Sequence, residues 1–185
     1  MNPWVTDVDD AEPVVDDVEV ESVPLWRPQP GVVSPEHGLG QRGVWSGGMW
    51  VMGTHGGAGE TTVAGLLDLP EADHCWPVGL AQMQPAVLAV ARGSATGLRA
   101  ASNAARQWAA GGLACVLFGL VVVAPMPGRL PRELRQMRAE VEGAYPCVWD
   151  VPWSPDLVCG RPWSPPKVLG HIARQVEAFT TERTR

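Results

Sequence analysis

The chain has 185 residues, 45% of them apolar and 18% charged, a balance that fills the core of one ordinary domain and excludes a wholly unfolded chain. Its formal net charge of -6 is unevenly placed: Asp7, Asp9, Asp10, Glu12, Asp16, Asp17, Glu19 and Glu21 supply eight of the 20 acids, and the first basic residue is Arg27. Past that start, 12 acids face 14 bases, so the body is nearly neutral and slightly basic.

Residues 1–44 combine the acidic clusters with Pro24, Pro28, Pro30, Gly31, Pro35, Gly38 and Gly40, and are expected to form a disordered acidic tail. Trp4 and Trp26 are either docking anchors within it or aromatics that graze the body. The start lacks the basic and apolar regions of a secretory signal, which leads to a cytoplasmic expectation. From Val44 onward short apolar runs alternate with helical periods, the pattern of a parallel sheet covered by helices. Strands are expected at 49–52, 86–91, 117–124 and 147–151, with a short fifth at 74–78. Helices are expected at 60–67, at 95–109 with Leu98, Ala101, Ala105 and Trp108 on one stripe, at 131–143 and at 166–179. In the third helix Leu130, Leu134, Met137 and Val141 face inward, while Arg132, Arg135 and Arg138 fall on another face. The longest apolar run, Leu113–Met126, is shorter than the roughly 20 residues that span a bilayer and reads as a buried strand. Cys75, Cys115, Cys147 and Cys159 show no Cys-x-x-Cys spacing and read as buried free thiols rather than a metal or redox site. The expected fold is a small three-layer α/β domain over residues 45–182.

The most informative stretch is Met52-Gly53-Thr54-His55-Gly56-Gly57-Ala58-Gly59-Glu60-Thr61-Thr62, a strand, a glycine loop and a helix start. In that setting backbone N–H groups and a helix N-terminus converge on an anion. The stretch resembles the loop of the ParA/MinD family of P-loop ATPases, Lys-Gly-Gly-x-Gly-Lys-Thr-Thr, matched here at Gly56, Gly57, Ala58, Gly59, Thr61 and Thr62. His55 and Glu60 stand where that family has its two lysines. A carboxylate in place of the lysine that reaches the β- and γ-phosphates repels them by about 4 kcal/mol per charge pair at an effective dielectric of about 20. Glu60 itself suits the first turn of a helix, and a further reading makes it a built-in anion in place of phosphate.

No expected strand ends in the aspartate that would hold Mg²⁺, and the 18 residues between Leu67 and Ala86 are too few for the family's switch segment and metal-binding strand. The resemblance resumes at 86–107, at Gly119–Val123 and at Trp149–Asp156, in the family's order. A narrower resemblance, to a group of uncharacterised bacterial proteins, rests on the His-Gly-Gly-Ala-Gly-Glu loop, Gly128–Pro131 and Val151-Pro152-Trp153. What the resemblance implies is a reduced P-loop fold acting as a non-hydrolytic pseudo-NTPase, a binding or assembly module in bacterial DNA partition, conjugation or secretion. No cofactor is expected on that reading, and a protein partner is, with homodimerisation open.

The alternative is an atypical nucleotide-binding ATPase or GTPase, taking ATP and Mg²⁺, in which Arg92, Arg129 or Lys167 replaces the missing cation. For the loop His55–Thr62 a tight structural turn and a docking site for a carboxylate or phosphopeptide stay open beside it. Arg129, Arg132, Arg135 and Arg138 form a candidate surface for nucleic acid or a partner, which the acidic tail could cover. His74 beside Cys75 is set aside as a nucleophile pair, because neighbours on a strand point to opposite faces.

Overall fold

The computed structural model describes residues 26–44, 47–80, 83–159, 161 and 164–184. The N-terminal 25 residues, with Trp4 and the eight acids, lie outside the described residues, as do Trp45 and Trp163. In chain order the elements are β1 (Gly40–Gly43), β2 (Met49–Gly53), α1 (Glu60–Leu67), β3 (Cys75–Val78), β4 (Ala86–Arg92), α2 (Ala95–Ala109), β5 (Val116–Val123), α3 (Arg132–Glu142), β6 (Val148–Val151), α4 (Pro155–Val158) and α5 (Lys167–Thr184).

The fold is α/β, and every strand pairing is parallel. The main sheet has the order β2-β4-β5-β6, with α2 between β4 and β5 and α3 between β5 and β6. Side chains alternate along each strand, so both faces of the sheet are apolar and both are covered. On one face Val87, Ala89, Ala91, Leu117, Leu120 and Val122 pack with Leu98, Ala101, Ala105 and Trp108 of α2 and Val141 of α3. On the other, Val51, Leu88, Val90, Phe118, Val121 and Val151 meet Val63 and Ala64 of α1 and Leu169, Ile172, Val176 and Phe179 of α5.

α1 and α2 occupy the spans that periodicity indicates. Ser94 caps α2 by accepting the Gly97 N–H at 3.2 Å. In α3, Pro131 is the N-cap rather than the first helical residue, and α5 runs five residues past Phe179.

Two expectations need correction. The strand at Cys75–Val78 does not join the main sheet; it pairs with β1 in a separate two-stranded sheet. β1 itself lies inside the stretch read as a tail. Its Gly-Gln-Arg-Gly sequence carries no apolar alternation, and its position is set from outside by Gln107 of α2. The Gln107 amide donates to the Leu39 carbonyl at 2.8 Å, and its Oε1 accepts from the Leu39 N–H at 2.8 Å and from the indole N–H of buried Trp76 at 2.9 Å. Trp26 and Leu39 also pack on the core, so the body begins well before Val44.

The thiols are likewise more varied than expected. All four are free, but only Cys115 is buried, and Cys159 is exposed. Burial pushes the Cys115 thiol up from 9.0 to about 12 and raises the Tyr145 phenol, whose hydroxyl donates to the Ala101 carbonyl at 2.8 Å.

Gln107→Ala removes three hydrogen bonds and strands the Trp76 indole, so urea unfolding should show a loss of about 2 kcal/mol. Cys115 and Tyr145 are neutral in their protonated forms, and the unfolded chain ionises them first. Stability should be unaffected by these two groups below pH 9.0 and fall as pH rises through the range toward about 12, as equilibrium unfolding would read. At neutral pH a thiol reagent should modify Cys159 in the folded chain and leave Cys115 intact.

Candidate functional site

The loop from Thr54 to Gly59 leaves the carboxyl end of β2 and enters α1, at the end of a parallel sheet where α/β proteins hold ligands. Gly57 at φ 74° and Gly59 at φ 100° adopt backbone conformations that L side chains avoid. A Cβ on Gly59 would in addition lie 3.3 Å from Val123, so this residue lets α1 start close against β5. No side chain caps α1 at its N-terminus.

The expected site residues His55 to Thr62 are brought together, with unequal roles. His55 is stitched into the fold: its Nε2 accepts the Arg92 backbone N–H at 3.1 Å and its Nδ1 lies 2.8 Å from the Gly56 carbonyl. An acceptor at Nε2 and a carbonyl at Nδ1 suit the neutral tautomer with hydrogen on Nδ1. Thr61 donates from Oγ1 to Glu71 at 2.9 Å.

Glu60 is 5% exposed. A buried carboxylate needs donors, and its Oε1 accepts the Ala72 N–H at 3.3 Å while its Oε2 lies 3.0 Å from His74 Nδ1. The same nitrogen is 3.2 Å from the Gly53 carbonyl. Both neighbours are acceptors, so Nδ1 carries the hydrogen. A Cβ on Gly53 would come within 2.7 Å of both His74 and Glu60, so the glycine ending β2 is what admits the pair. The carboxylate thus turns toward the 72–74 segment, away from the place of a phosphate in the glycine loop.

Sequence reasoning missed His74. It precedes β3 in the left-handed region at φ 55°, so the argument from opposite faces of a strand does not apply to it. No local signal links it to Glu60, fourteen positions earlier. The link arises because residues 70–72 run along the free edge of β2: Val51 donates to the Pro70 carbonyl and accepts from the Ala72 N–H, each at 2.9 Å.

Two clefts flank the loop. One, of about 360 Å³, is lined by Gly57 to Thr62 with Glu71, Asp73 and His74. Three carboxylates border it, and the Asp73 carboxylate is paired with Arg42. Among the described residues no group of His, Cys, Asp and Glu is arranged to hold a metal ion. The other cleft, of about 330 Å³, is mostly apolar, with Val63, Leu66, Val123, Val151 and Leu169 in its wall and Arg92 as its cation. Arg92 reaches the loop, its guanidinium lying 3.5 Å from the Gly57 carbonyl.

The arginine surface is smaller than expected. Arg138 is only 12% exposed in its side chain, and its guanidinium grips Asp150 through Nε at 3.0 Å and Nη2 at 2.8 Å, with Glu142 at 3.2 Å. It links α3 to β6 and is committed within the fold. Arg129, Arg132 and Arg135 are exposed.

Gly59→Ala should cost about 1–2 kcal/mol in urea unfolding, because an L residue is forced into left-handed backbone. Gly65→Ala, at an exposed position inside α1 with open space around it, should instead stabilise by about 0.5–1 kcal/mol.

No curated protein and no solved structure matches the chain, and no helix among the described residues is long and apolar enough to cross a membrane. Residues 47–171, from just before β2 into α5, match the model of a family of unknown function, DUF6668. That span takes in the loop, Glu60, His74 and Arg92 and covers most of the chain, which therefore belongs to the DUF6668 family.

Proposed function

We propose that this chain is a non-hydrolytic pseudo-NTPase, a reduced P-loop-like domain that works by holding a partner and not by turning over a nucleotide. The observation that carries the reading is Glu60, buried at the head of α1 and held by Ala72 and His74. A polyphosphate approaching α1 from that side meets Glu71 and Glu60, the latter standing where a nucleotide-binding loop presents lysine, while Asp73 is paired with Arg42. Each close charge pair disfavours the phosphate, by about 4 kcal/mol at an effective dielectric of about 20.

A protein partner suits the exposed surface. Leu80 is 77% and Met83 51% exposed, and both border an apolar cleft of about 360 Å³ with Val44 and Val78 at the β1–β3 sheet. Tyr145, Arg138 and Gln107 spend their polar groups inside the fold, which suits a rigid platform.

A second reading has its own observation. Arg92 lies against the loop and opens onto the apolar cleft, so a nucleotide entering from that side would find a substitute cation. Neither Arg129 nor Lys167 has a comparable contact among the described residues.

Calorimetric titration with ATP, ADP and GTP, with and without Mg²⁺, separates the two. The wild-type chain should show no micromolar binding, and Glu60→Lys should gain it. Micromolar binding by the wild type that Arg92→Ala abolishes would establish the second reading and refute the first.

A further inference from the structure

We propose that the outer face of α2 and α3 is a docking surface for an acidic peptide, and that residues 1–22 of the same chain are its occupant. The proposal is independent of whether the glycine loop binds a nucleotide.

The surface starts from α2. Its fifteen residues include Arg99 and Arg106 and no carboxylate. Seven positions apart on a helix of about 3.6 residues per turn, the two arginines share one stripe, and both are exposed. α3 packs beside α2, with Tyr145 just past its end donating to the Ala101 carbonyl, and adds exposed Arg132 and Arg135. Among the described residues no carboxylate pairs with any of these four, whereas Arg138 on the same helix is consumed by Asp150 and Glu142.

The occupant is indicated by where the described chain begins. Trp26 lines a pocket of about 190 Å³ together with Ser102, Ala105, Arg106, Ala109 and Gly143, and the Gln29 N–H donates to the Ala109 carbonyl at 2.9 Å. The preceding residues therefore set out from the end of α2, beside Arg106. They carry eight acids and no base. Twenty-two residues extend to about 80 Å at most, while Arg99 and Arg106 are about 10 Å apart along the helix, so reach sets no limit. The charges are complementary and exposed, so the contact is electrostatic and weakens once salt brings the Debye length well below about 8 Å.

The test is limited digestion of the full chain with a glutamate-specific protease, reading the initial rate of cleavage after Glu19 and Glu21 against that after Glu36. Glu36 is exposed in the described segment and serves as the internal reference. At low salt R99E/R106E should raise the ratio about fivefold over wild type, and added salt should raise the wild-type ratio toward the same value. K167E/R174E, the same charge change on α5 across the sheet, should leave it unchanged. The milder R99Q/R106Q should give an intermediate rise, which covers the case in which the charge reversal unfolds α2. An unchanged ratio, or an equal rise in the α5 variant, would overturn the proposal. So would a ratio that falls with increasing protein concentration, which assigns the contact to a second copy. Loss of duplex DNA binding in R99E/R106E with tail cleavage unaltered would assign the face to nucleic acid instead.

Discussion

A carboxylate taken out of water must find hydrogen-bond donors, and at the start of α1 Glu60 finds them in the Ala72 N–H and the His74 ring. That contact ties three pieces together: the glycine loop, the head of α1 and the segment along the free edge of β2. An uncovered parallel edge strand exposes a row of unpaired backbone groups. Here Pro70 and Ala72 satisfy Val51, and the Ala72 N–H is shared between the Val51 carbonyl at 2.9 Å and Glu60 Oε1 at 3.3 Å. Glu60 is thus a brace for the edge of the sheet.

Two clefts of different chemistry lie beside the loop. On the Glu60 side the wall carries Glu60, Glu71 and Asp73. On the other side the strand ends contribute Val123 and Val151, and α5 contributes Leu169, so the wall is apolar with Arg92 at its border. Gly57 and Gly59 make the shape of the loop, and Glu60, Glu71, Asp73 and Arg92 supply the charges around it. Fold and loop geometry alone do not specify activity, since function resides in the chemistry of particular side chains.

The acidic start and the rest of the chain are linked by the stretch from Trp26 to Gly43. Gln107 receives Leu39 and Trp76 together, so α2 serves the core, the small β1–β3 sheet and the entry of the chain. The same helix presents Arg99 and Arg106 outward. Its inner face is set by apolar packing and its outer face by charge, as expected of an amphipathic helix.

Much of the scaffold was legible in the residues alone. Continuous apolar runs mark β2, β4, β5 and β6, and helical spacing places α1 and α2, because these patterns follow from the local repeat of each element. The parallel α/β class follows from their alternation, and the mismatch of Glu60 with a lysine-bearing loop is visible in its position. The tertiary structure decided what local patterns cannot carry. β1 has no apolar signature and exists through β3 and Gln107; Arg138 reads as a surface cation until Asp150 arrives from β6. His74 becomes the partner of Glu60 only because the chain doubles back along β2. Periodicity reports which face of an element is buried, whereas long-range contacts between polar groups depend on where the chain returns, and that is set by packing.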